Sequence, residues 1–144
     1  LVLKGRQVHP GPDEGFLGGV FRVEQRIDGF VSVDFDYEGG EVVTEPFAFT
    51  GNRLQLNLNT SSAGEARVAI LDAAGQPIEP YTINNCLFVN GDYTTKTVQW
   101  GGLATVGPLA GQPIRLKFAM RGAKLYSFQF VEVEDPPPVA GQWA

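Results

Sequence analysis

The sequence predicts an all-β domain of antiparallel strands, a sandwich or a barrel, and three observations carry that prediction. Several runs alternate apolar and polar residues with a period of two, most cleanly in "RLQLNLNT". Glycine, proline and asparagine clusters separate the runs at the spacing typical of sandwiches and barrels. No segment sustains a helical period. A chain of 144 residues is long enough to bury one core of its own, so a single domain is expected.

Taken in order, residues 1–19 contain "HPGPDEGFLGG", whose Gly and Pro clusters break regular structure, and read as a lead-in or linker. The sandwich module is expected over residues 20–134. "GVFRVEQRIDGFVSVDF" places two Val- and Phe-rich runs around Asp28-Gly29, a dipeptide that tolerates positive φ and makes tight hairpins. "EVVTEPFAF" follows the Gly39-Gly40 break, and Pro46 suits an edge strand or a strand end because it cannot donate to a ladder. In "RLQLNLNT", Leu54, Leu56 and Leu58 face inward while Gln55, Asn57 and Asn59 face outward. "EARVAILD" continues with Ala66, Val68 and Ile70 inward and ends in the turn "AAGQP". "IEPYTINNCLFVNGDY" is irregular, with Pro77 and Pro80, and reads as a long loop holding a short strand. "TTKTVQW" restores alternation. "IRLKFAMR" sets Ile114, Leu116, Phe118 and Met120 against Arg115, Lys117 and Arg121, and "KLYSFQFVEVE" closes the fold. The tally is eight or nine strands, with a stiff Pro-rich tail over residues 135–144.

Composition excludes several function classes. A formal charge of -5 and no run of Lys or Arg leave nothing with which to neutralise phosphates, so nucleic acid is not an expected partner. No stretch approaches the roughly 18 consecutive apolar residues of a membrane helix. Cys86 is the single cysteine, which rules out an internal disulfide and a Cys-based zinc site. "LVLKGRQVHPG" lacks the apolar region and cleavage pattern of a signal peptide. His9, the single histidine, sits in the lead-in without a scaffold to hold it against a nucleophile. Nothing cationic adjoins Cys86 to activate it, so a buried, inert thiol is expected.

The blocks "IDGFVSVDF", "GGEVVTEPFAFTGNRLQLNLNT", "GEARVAILDAAGQPIEPYTINNC", "NGDYTTKTVQW" and "LAGQPIRLKFAMRGAKLYSFQF" resemble, in order, the C-terminal β-sandwich module that follows a five-bladed β-propeller in bacterial proteins similar to glycoside hydrolase family 32. The resemblance implies a jelly-roll-like accessory module of a secreted, glycan-degrading protein. It implies no catalytic residues in this chain, because in such proteins the catalytic carboxylates belong to the propeller. Asn85 stands where that family often has an acidic residue, and Tyr93 where smaller polar residues are usual.

The expected partners are therefore a polysaccharide or oligosaccharide and a catalytic domain in the same polypeptide. Sugar recognition needs aromatic faces plus amide, hydroxyl and charged groups. Tyr81, Tyr93 and Trp100 surround the irregular loop that also carries Asn84, Asn85 and Asp92. Trp100 shares parity with Val98, which also gives it a core reading. A second candidate is a polar sheet face of Gln55, Asn57, Asn59, Arg67, Arg115, Lys117 and Gln129, should those strands lie side by side. Asp34, Asp36 and Glu38 recur at every second position, roughly 7 Å apart if on one strand. Calcium is the one metal such a set could share as a structural ion, and the competing reading is the solvated side of a strand. No cofactor is required. The alternative function is a structural sandwich that packs against and stabilises a catalytic propeller.

Overall fold

The computed structural model describes residues 31–134. The expected hairpin turn at Asp28-Gly29 and its first strand, His9, the lead-in and the Pro-rich tail lie outside them. Among the described residues five strands are present: β1 (Val33–Phe35), β2 (Gly40–Val43), β3 (Arg53–Asp72), β4 (Asp92–Thr97) and β5 (Ile114–Val131). The fold is all-β, and every strand pairing is antiparallel. β3 and β5 form the central ribbon, β4 lies along β3, and β1 and β2 follow one another along the far side of β5. The one helical feature among the described residues is a 3-10 turn at Gly107–Leu109. No helix there is long and apolar enough to cross a membrane.

Where the sequence predicts four strands, the chain makes two. "RLQLNLNT" and "EARVAILD" fuse into the 20-residue β3, and "IRLKFAMR" and "KLYSFQFVEVE" fuse into the 18-residue β5. The Ser/Gly breaks between them are bulges, because they face each other across the ladder. The register passes from Thr60 opposite Ala123 to Glu65 opposite Arg121, leaving residues 61–64 against Gly122. Gly122 takes a left-handed φ of 53°, and a Cβ on Gly64 would stand 2.3 Å from the Gly122 carbonyl oxygen. Glycine is required at both positions, by backbone conformation at one and by backbone contact at the other.

The interruption crosses the whole sheet. On one side of the ribbon, Gly122 donates its N–H to the Asp36 carbonyl at 2.7 Å, within the turn that separates β1 from β2. On the other, the Asn90 amide nitrogen donates to the Gly64 carbonyl at 2.6 Å, and the Gly91 N–H donates to Thr60 Oγ1 at 2.8 Å. We call this line the crease. Its effect shows in Phe118 and Phe128, which would stand roughly 33 Å apart on a straight strand yet have ring centroids 5.5 Å apart. β5 therefore folds back at the crease, and the two halves of one sheet face each other across a shared core.

That core contains Leu54, Leu56, Leu58, Val68 and Ile70 from β3 and Ile114, Leu116, Phe118 and Leu125 from β5. Phe47 closes it beside Phe128 and Phe130, at centroid distances of 5.9 and 6.0 Å. The segment over residues 73–113, which includes β4, adds Tyr81, Cys86, Val89, Val98, Trp100, Val106 and Leu109. Trp100 donates its indole N–H to the Val68 carbonyl at 2.9 Å, so the ring is satisfied as well as buried. Asn57 departs from the expected outward position and is 3% exposed. Pairing shifts register between Asn57 and Leu58, and such a bulge re-aims the side chain there.

Candidate functional site

The crease draws together residues that are far apart in sequence. On the outer side of the fold, Asp34 of β1 lies opposite Lys124 of β5. Lys124 is in turn opposite Asn59 of β3, and Asn59 opposite Asp92 of β4. This polar row borders a cleft of about 360 Å³ lined by Asp34, Asp36, Tyr37, Asn59, Ser61, Gly122 and Lys124, among others. Its volume lies within the range of small-ligand pockets.

Each side chain is held for a local reason. β1 ends at Phe35, because the Asp36 carboxylate accepts the backbone N–H groups of Glu38 and Gly39 at 3.0 and 3.1 Å and closes a turn. Gly39 supplies the φ of 85° that this turn needs. The turn lifts Tyr37 over Gly122, where a Cβ would meet the Tyr37 ring at 3.1 Å and Ser61 Oγ at 2.9 Å. Tyr37 is nonetheless 63% exposed. Lys124 Nζ is 3.2 Å from Asp34 Oδ2, and Asp34 Oδ1 accepts from the Ser32 hydroxyl. Ser61 Oγ is sealed from solvent and has no hydrogen-bond partner among the described residues. The cleft thus combines an aromatic surface with carboxylate, amide, ammonium and hydroxyl groups.

The three alternating acids do not converge. Asp34 alone occupies β1, Asp36 and Glu38 belong to the turn, and all three are exposed. Among the described residues no group of three His, Cys, Asp or Glu side chains is disposed to hold a metal ion. Ending the strand at Phe35 destroys the period of two on which a shared calcium depends.

The loop aromatics divide. Tyr81 and Trp100 are 4% and 2% exposed and meet edge to face at 5.1 Å. The Tyr81 hydroxyl donates to the Thr105 carbonyl at 2.9 Å, and burial raises its pKa above the usual tyrosine value. These two rings are core, and neither face is open to a sugar. Tyr93 is exposed, with its ring against Gly91 on one side and Lys96 Nζ 4.9 Å from its centroid. Asn84 and Asn85 are exposed; the Asn85 amide nitrogen donates to the Pro80 carbonyl at 2.9 Å. Asp92 opens β4 and is exposed.

The expected polar face is split by the crease. Gln55, Asn57, Asn59 and Gln129 lie on one side of it, and Gln129 donates to Gln55 at 3.0 Å. Arg67, Arg115 and Lys117 lie on the other. Arg115 is committed to the Ala73 and Thr44 carbonyls at 3.0 and 3.2 Å, and Lys117 to Glu41 at 3.2 Å. Arg67 differs: its Nε is sealed from solvent with no acceptor among the described residues, a cost of about 1–3 kcal/mol. Its guanidinium lies 6.0 Å from the Phe88 ring centroid. A groove of about 490 Å³ adjoins it, lined by Glu38, Glu41, Glu65, Ile83, Met120 and Arg121, among others.

Cys86 is buried. Burial pushes its thiol pKa up, against the opposing pull of the Val68 N–H, which donates to its sulfur at 3.3 Å, and of the Arg67 charge. Sequence reasoning overlooked Tyr37, Ser61, Gly122 and Lys124 as site residues. The available signals were the "DYEGG" turn composition and the lone glycine inside "MRGAK". Compared with protein-family models, with curated proteins and with solved structures, the chain matches none.

Proposed function

We propose that the chain is a non-catalytic, carbohydrate-binding accessory module of a glycan-degrading enzyme, a jelly-roll-like sandwich that holds polysaccharide near a catalytic domain of the same secreted polypeptide. The crease cleft is the observation that supports this reading. Tyr37 offers an exposed ring for the apolar face of a pyranose. Asp34, Asn59 and Lys124 beside it offer acceptors and donors for hydroxyls. The carboxylates favour binding over bond cleavage. Asp34 is bridged to Lys124, and Asp36 accepts two backbone amides, so each has a structural partner. Glycoside hydrolysis asks instead for two carboxyls flanking a scissile bond, about 5–9 Å apart. The module's contribution is effective concentration.

Retention on immobilised polysaccharides and calorimetry over a panel of neutral and anionic glycans test this. The expected result is binding to at least one glycan, lost in Tyr37→Ala while the thermal midpoint is kept. Silence across the panel contradicts it. The second reading, a structural sandwich that packs against and stabilises a catalytic β-propeller, draws on Val33, Val42 and Val43, exposed along the β1–β2 side of the sheet. It predicts no glycan retention and a stabilised catalytic partner when the two are joined.

A further inference from the structure

The groove beside Arg67 points to the chemical class of the ligand. Two of its acids are engaged: Glu65 lies 3.6 Å from Arg121 Nε, and Glu41 lies 3.2 Å from Lys117 Nζ. Arg67 has no carboxylate partner among the described residues. Glu38 lines the same groove from the turn before β2, on the other side of β5 from Arg67, and makes no ion pair with it. The guanidinium is backed by Phe88, which is 57% exposed and reaches it because Val89 bridges to Ala66 at the edge of β3. An aromatic backing orients the planar fork and leaves its outer edge for a bidentate acceptor.

We propose that Arg67, supported by Phe88, is an oxyanion subsite, and that the glycan bound by this module is acidic, carrying uronate carboxylates or sulfate esters. The inference rests on the carbohydrate-binding reading and narrows it. The turn over residues 36–39 joins the two depressions: Asp36 and Tyr37 line the crease cleft, while Glu38 and Gly39 line the Arg67 groove. A glycan seated on Tyr37 and crossing this turn brings a neighbouring residue to Arg67. Arginine suits the task better than lysine, because its fork matches carboxylate and sulfate oxygens in pairs. The overall charge of -5 repels polyanions, so non-specific attraction does not imitate the site.

The test uses the whole chain and matched polymers that differ in the acid alone: polygalacturonate against its methyl ester, and dextran sulfate against dextran, beside the wider neutral panel. The acidic member of at least one pair is expected to bind about tenfold or more tighter. R67Q should erase that preference without changing neutral binding, R67K should retain part of it, and Phe88→Ala should weaken it. Equal affinity within each pair, or an acid preference that survives R67Q, overturns the subsite while leaving the carbohydrate reading intact. Failure of every polymer on the panel to bind overturns both. Uronate and sulfate sources are separated by which pair responds.

Discussion

Replacing Gly64 by alanine attacks the crease where two backbones touch. The added Cβ would lie 2.3 Å from the Gly122 carbonyl oxygen and 2.8 Å from that of Arg121. Ordinary contact begins near 3.4 Å, so the central strands must separate by 1.1 Å (3.4 − 2.3) at this point. Neither obstacle is a side chain able to swing away. Overpacking costs about 1–3 kcal/mol, and one or two ladder hydrogen bonds lost to the separation add about 1 kcal/mol each. A total of roughly 2–5 kcal/mol lowers the thermal midpoint by roughly 6–20 °C for a domain of this size. Gly102→Ala is the control, since its Cβ meets nothing within 4 Å and its φ is not left-handed; it should stay within about 0.5 kcal/mol of the parent. Urea and thermal denaturation followed by circular dichroism measure both. A Gly64→Ala protein within about 1 kcal/mol of the parent refutes the close approach and the sheet folding built on it.

Four further outcomes follow from the same geometry. Trp100→Phe leaves the Val68 carbonyl without its indole donor and should cost about 1–3 kcal/mol, read as a lower urea midpoint. The raised Cys86 pKa means the unfolded chain releases the thiol proton before the folded one does. That contribution to stability is complete below the unfolded value and declines as pH rises above about 8.5; denaturation at pH 7 and 9.5 should show the decline, reduced in Cys86→Ala. The native thiol should also react with a disulfide reagent far more slowly than the unfolded one. Lys124→Ala removes an exposed ion pair worth at most about 1 kcal/mol, so it should weaken glycan binding in calorimetry with little change in thermal midpoint.

The strand interiors were legible because burial imposes alternation locally. Leu54, Leu56 and Leu58 are fully buried where their parity placed them, and so are Val68, Ile70, Leu116 and Phe118. Trp100, which could be read either as a loop aromatic or, by its parity with Val98, as core, is core as Val98 is. The crease was not legible, since a Ser/Gly cluster has the same composition whether it ends a strand or bends one. What distinguishes them is the partner: residues 61–64 stay in the sheet because Gly122 faces them. Tyr37 has no local signal of its own, because alternation runs on through "DFDYE" in the sequence, whereas in the structure the Asp36 carboxylate captures two amides and ends the strand first. Arg67 and Phe88 meet through a bridge between Ala66 and Val89, a non-local pairing with no sequence signature.

Backbone amide mapping by heteronuclear NMR, with an oligosaccharide drawn from the responding polymer added in steps, tests the central claim most directly. Saturable shifts are predicted at Tyr37, Asn59, Gly122 and Lys124, extending to Arg67 when the sugar is acidic. Shifts confined to the β4 edge around Tyr93, or to the exposed valines of β1 and β2, would contradict a crease-centred glycan site.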